Sequence, residues 1–243
     1  MGPMESITAA PPQRRAPDMG RWGAYGLLVA ALALSLLPLA GNTAPPERSR
    51  LFPETGYHVS GRFLDVWETF GTYEDSLTVY GLPISDVHSE VSATDGKVYQ
   101  VQWFQRARYE AHPERPAPDD VELSLLGVRA AGARLGQGPF ADVPRPATPT
   151  PGVDWVPETR HTLRGPFRTF WQQYGSWKQR GFPISEEFVE QPPGAPAPVR
   201  VQYFQRVRME LHPGESPATG GVILGLLGVE LDRPATLTPL LTP

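Results

Sequence analysis

Four alternating residues carry most of the chemistry this sequence offers. They are Arg106, Arg108, Glu110 and His112, and they return as Arg206, Arg208, Glu210 and His212. Arginine beside glutamate and histidine suits carboxylate or anion recognition, because a guanidinium presents a planar fork of donors. Glu110-x-His112 and Glu210-x-His212 also place two metal-capable groups close together. A zinc site takes at least three protein ligands, and His58, His88 and His161 do not align between the copies, so no metal is expected. Glycan hydrolysis is the next chemistry to weigh. It needs two carboxylates about 5 to 9.5 Å apart, and Glu54/Glu158, Glu90/Glu190 and Glu110/Glu210 all recur. Neighbouring arginines, however, depress the carboxyl pKa that a general acid needs raised. The chain has no G-x-S-x-G elbow, no HExxH and no phosphate-cradling glycine loop, so neither a catalytic residue nor a cofactor is expected.

Two readings of the eight residues remain. Arg106, Arg108 and Glu110, with their second copies, pair with neighbouring acids such as Glu54 and Glu90 and lock a small fold. Alternatively they line a polar groove for an anionic or glycan ligand, with Arg and Gln donors and Trp177 as a stacking surface.

The elements that must position these groups are written twice. VQWFQRARYEAHP at 101–113 and VQYFQRVRMELHP at 201–213 are identical at nine of thirteen positions. Polar and apolar residues alternate along both, which reads as a β-strand with two faces. Val101, Trp103, Ala107, Tyr109 and Ala111 form the expected core face, and Gln102, Phe104, Arg106, Arg108, Glu110 and His112 the constant face.

The duplication extends further. Pro53-Glu54-Thr55 matches Pro157-Glu158-Thr159, and Gly61, Phe63, Trp67 and Gly71 match Gly165, Phe167, Trp171 and Gly175. The first copy then carries four extra residues within TYEDSLTVY. GLPIS at 81–85 pairs with GFPIS at 181–185, and LSLLGV at 123–128 with LGLLGV at 224–229. Apolar residues at i, i+3, i+4 and i+7 predict short helices over 62–70 and 166–174. Asp95-Gly96 signals a hairpin in the first copy, and 121–128 and 222–229 read as final apolar strands. The fold class is therefore α+β: two tandem repeats, each a short amphipathic helix packed on a small antiparallel sheet. We place the repeats at 52–129 and 155–232, with a Gly/Ala/Pro-rich linker at 130–154 and a loose tail at 233–243. Each repeat is near the lower size limit for an independent domain, so an interface between them is expected.

The formal charge of −4 comes with no basic block, which argues against a nucleic-acid partner. Zero cysteines exclude disulfides, thiol nucleophiles and thiolate metal sites. Arg14, Arg15 and Arg21 precede nineteen uncharged residues, Trp22 to Ala40. Residues 1–44 thus read as an export signal or an uncleaved signal-anchor, followed by a short linker at 45–51. Membrane contact is expected through this segment alone, leaving 45–243 outside the membrane.

As a set, the motifs PETG, GF…W…G, GFPISEEF and VQYFQRxRxExHP resemble the LGFP-type repeats of secreted bacterial cell-envelope proteins. The resemblance covers about 52–128 and 156–229. It implies an exported, non-catalytic repeat protein that binds or scaffolds at the envelope, with wall or surface polysaccharide as its partner. The alternative is a glycan-processing hydrolase that uses the repeated glutamates.

Overall fold

The computed structural model describes residues 47–92 and 95–232. The expected leader (1–44) and the tail (233–243) lie outside these residues. Among the described residues no helix is long and apolar enough to cross a membrane.

The fold is α+β with two similar halves. The first opens with a hairpin, β1 (Ser49–Phe52) and β2 (Tyr57–Ser60), turned by Pro53-Glu54-Thr55-Gly56. Helix α1 (Gly61–Trp67) follows and runs into a 3-10 turn, Glu68–Phe70, so the predicted helix is present and tightens at its end. A second helix, α2 (Tyr73–Val79), lies in the segment that carries the four extra residues. Thr72 caps it by accepting from the Asp75 amide at 3.0 Å, and Glu74 and Asp75 favour its positive end.

An antiparallel sheet comes next, in the order β3 (His88–Val91), β4 (Val98–Trp103), β5 (Arg108–Ala111) and β6 (Val121–Leu123). Asp95 and Gly96 lie between β3 and β4, as the turn signal predicts. The half ends in α3 (Leu126–Ala131).

The second half repeats the order. It comprises β7 (Val153–Val156), β8 (His161–Arg164), α4 (Gly165–Gln173), α5 (Ser176–Arg180), the sheet β9 (Phe188–Glu190), β10 (Val199–Tyr203), β11 (Arg208–Leu211), β12 (Val222–Leu224), and α6 (Leu227–Leu231).

Two expectations need correction. The thirteen-residue motif is a hairpin, with Phe104 to Ala107 as its turn: the Phe104 amide donates to Ala107 O at 2.8 Å. Val101 lies opposite Glu110, Gln102 opposite Tyr109, and Trp103 opposite Arg108. Reversal through a four-residue turn exchanges odd and even positions. Trp103, Arg108 and Glu110 therefore share one face, and Gln102 and Tyr109 the other. Secondly, the final apolar runs are strands only over their first three residues; LLGV then turns into α3 and α6.

One core passes through both halves. Phe52, Trp67, Tyr80 and Tyr109 belong to the same buried cluster as Phe167, Phe170 and Met209. The last helices also cross over. The Val128 amide of α3 donates to Gln205 O at 3.1 Å, and the Gly228 amide of α6 donates to Gln105 O at 3.0 Å. A methyl on Gly127 would overlap the Phe204 carbonyl oxygen, and one on Gly228 the Phe104 carbonyl oxygen. Only glycine allows the approach that lets each repeat close the hairpin turn of the other. The linker takes part as well, since Phe140 is buried against Tyr203 and Phe188.

Candidate functional site

The hairpin geometry decides what the repeated residues can do. Gln102 points to the main core, where its Nε2 donates to His58 O at 2.7 Å and Ser85 O at 3.1 Å. Gln202 does the same to Thr162 O and Ser185 O. Both tie the leading hairpin to the sheet and are closed to a ligand.

Arg108 and Glu110 are buried on the opposite face. Arg108 donates to Glu90 at 3.1 Å, and to Glu110 and Ser124 at 2.7 Å each. Glu90 also accepts from the Trp103 indole at 2.7 Å. Burial pushes the Glu90 pKa up, but the Trp103 bond and the Arg108 charge outweigh it and hold the group below its ordinary value.

In the second copy Arg208 makes two-point contacts to Glu210 (2.9 and 2.6 Å) and to Glu230 (3.0 and 2.7 Å). Its burial is overcome by these carboxylates, which raise its pKa. Glu190 instead takes the Tyr203 hydroxyl at 2.6 Å and Arg134 at 2.9 Å. His112 pairs with Glu114 at 2.9 Å, and His212 with Glu210 at 3.1 Å. Glu54, expected as a partner of this face, accepts from Tyr73 instead. Among the described residues no group of three or more His, Asp or Glu side chains is placed to hold a metal ion.

Six of the eight candidate residues are thus engaged in internal pairs. Arg106 and Arg206 are different. Each sits in a hairpin turn with its amide donated to a backbone carbonyl, Tyr80 O and Arg180 O respectively, both at 3.0 Å. Each has a buried Nε without a hydrogen-bond partner. Burial lowers both pKa values, against weak support from Glu210 for Arg106 and Glu122 for Arg206.

Arg206 lines a cleft of about 540 Å³ between the halves. One wall is α1 and β6 of the first repeat, and the other is α5 of the second. Across it, Arg62 is held by Asp120 at 2.6 Å and Asp65 at 2.9 Å, and Arg115 by Glu122 at 2.8 Å. Arg206 comes only within 3.9 Å of Glu122. Trp177 is 52% exposed at the mouth, stacked on Phe182 at 6.3 Å and 12° between planes, with Lys178 Nζ 5.8 Å from its ring. Phe182 supports this ring from within the Gly-Phe-Pro turn.

Trp177 is legible in the sequence as an unmatched aromatic. The cleft is not, because its walls come from different repeats. A smaller hollow of about 430 Å³ lies over Arg108, beside Glu90, Glu110, Leu125 and Leu126.

No family model, curated protein or solved structure matches the chain.

Proposed function

We propose that the chain is an exported, non-catalytic module that binds a carbohydrate polymer at the cell envelope, using the cleft between its repeats. The observation that carries this is Trp177: a half-exposed indole, braced from behind by Phe182, at the mouth of a cleft lined by both polar and apolar side chains. A flat aromatic surface flanked by hydrogen-bonding groups is the chemistry that accepts the apolar face and hydroxyl edge of a sugar. The charged leader followed by a long apolar run, and the resemblance to LGFP-type envelope repeats, support export and an envelope setting.

The glycan-processing alternative draws less support. Glu110 and Glu210 are bound into arginine pairs, and Glu90 is held towards its ionised form, which is the wrong direction for a general acid.

Affinity electrophoresis of the full chain in mild detergent, through gels cast with a panel of soluble neutral and acidic polysaccharides, tests the proposal. Retardation by at least one polymer is expected, and Trp177→Ala should weaken it about fivefold or more. Replacing residues 176–180 by the segment 72–80 should abolish it by filling the cleft. Binding indifferent to both changes would overturn the cleft as the site. Release of reducing ends that disappears in Glu110→Gln and Glu210→Gln would favour the hydrolase instead.

A further inference from the structure

Positive charge in and behind the cleft lacks its partners. Among the described residues Arg206 has a buried Nε without an acceptor, and the carboxylate within 4 Å of its head, Glu122, is already held by Arg115. Lys178 lines the same cleft, with its Nζ 5.8 Å from the Trp177 ring centroid.

Behind this wall stands Arg180, fully buried, with Nε, Nη1 and Nη2 all unpartnered. Its guanidinium rests between Phe70 and Phe170, 5.9 and 5.7 Å from the ring centroids, and near the Tyr80, Tyr109 and Tyr174 hydroxyls. Burial brings its pKa down to about 10, so it is still charged at neutral pH. Tyr80, which lines the cleft, stands at the equivalent position of the first repeat and feels the Arg180 charge. Aromatic faces ease the burial of a guanidinium but supply no counter-charge. A buried cation without a carboxylate projects its field through low-dielectric protein into the nearest solvent-filled space.

Resting on the carbohydrate reading, we infer that the polymer bound in the cleft is acidic, its sugar ring lying on Trp177 and its carboxylate taken by Arg206 with Lys178 alongside. The part of the Arg206 guanidinium that reaches the cleft then gains a counter-charge, which Glu122 at 3.9 Å supplies only weakly, and the charge of Arg180 adds to the attraction from behind. Arg62 and Arg115 take no part, because Asp120, Asp65 and Glu122 already satisfy them.

The test compares polygalacturonate with the same polymer after reduction of its carboxyl groups, using isothermal titration of the full chain in mild detergent. The acidic polymer should bind at least tenfold tighter, and tenfold more salt should erase most of that advantage. Arg206→Gln should weaken acidic binding about tenfold and leave the reduced polymer unaffected. Lys178→Gln, at an exposed position where folding is not at stake, should weaken it about threefold. Equal affinity for the two polymers, with Trp177→Ala still weakening both, overturns the inference and leaves the carbohydrate site intact. Preference for the acidic polymer that survives both Arg206→Gln and Lys178→Gln overturns the assignment of the carboxylate site. Absence of binding to either polymer overturns the inference for these sugars whether or not the panel reveals a neutral ligand.

Discussion

The two repeats carry the same elements in the same order, yet they meet at two junctions of different character. In one junction α2 of the first repeat rests on β12 of the second. In the other, the equivalent helix α5 is two residues shorter and makes no comparable contact with β6. The four inserted residues therefore close one junction, and their absence leaves the other as the cleft with Trp177 at its mouth. The same contrast recurs over the repeated arginines. Glu230 fills the space beside Arg208, whereas its counterpart Arg129 turns away to Leu231 O at 3.2 Å and leaves a hollow over Arg108. A duplicated scaffold has kept its ties and let its gaps diverge.

The largest expected effect separates the two arginines. Arg208→Met strands Glu210 and Glu230, both largely buried, and should cost about 3–5 kcal/mol. Arg108→Met should cost less, about 2–3 kcal/mol, because Glu90 is 29% exposed and keeps its Trp103 bond. Urea unfolding of both variants checks this, and equal losses would mean that the difference in filling is irrelevant to stability.

Next come the crossover glycines, where the repeats should behave alike. Gly127→Ala and Gly228→Ala each drive a methyl into a backbone carbonyl that cannot move without opening the partner's hairpin turn. Each should cost about 3 kcal/mol, at the upper end for overpacking. If one variant is tolerated, the crossover is a true lock in one direction alone.

Acid should weaken both halves through separate carboxylates. In the first half Glu90 is held low as described. In the second, burial raises the Glu186 pKa but His161 and the hydroxyl and amide of Thr162 lower it further. A carboxylate with a depressed folded pKa stabilises above the unfolded value, near 4.5, and that contribution fades as pH falls through the lower folded one. Stability should therefore decline as pH falls below about 4.5. Glu90→Gln and Glu186→Gln should each flatten part of the decline in thermal unfolding followed from pH 6 to pH 3. A slope unchanged in both would place the acid sensitivity elsewhere.

Much of this architecture is legible in the residues, and the failures have physical causes. Helix α1 and α4 announce themselves by spacing, and the β3–β4 hairpin by Asp95-Gly96. The central hairpin hides because its turn, Phe104-Gln105-Arg106-Ala107, holds none of the usual turn formers; it is held by tertiary bonds to Leu82 O and Tyr80 O. Its alternation continues across the reversal, so the face carrying Arg108 and Glu110 is misassigned from sequence. The LLGV helices fail for another reason: short apolar runs fit a strand or a buried helix equally well. Helix α2 is readable in Thr72 and Asp75 as a cap, though the four extra residues of the first copy obscure its match to α5. The cleft depends on which junction the insertion closes, and that is a property of packing between repeats.

The smallest effect tests whether the copies have diverged in strain as well as in filling. The PETG turn of the first repeat places Gly56 at φ +76°, and the second places Arg160 at +57° in the same turn. A left-handed arginine costs about 1–2 kcal/mol that glycine does not. Arg160→Gly removes that strain, gives back about 0.5–1 kcal/mol through the freer unfolded chain, and loses the Asp142 pair, which is exposed on both sides and contributes little. The net gain should be a few tenths of a kcal/mol. Gly56→Arg adds the same strain, with open space around its Cβ, and should cost about 1 kcal/mol. Opposite signs for these reciprocal exchanges in thermal unfolding would show that the two turns share one backbone requirement. A loss in both would mean that the Arg160 side chain, through its contact with Asp142, contributes more than its left-handed backbone costs.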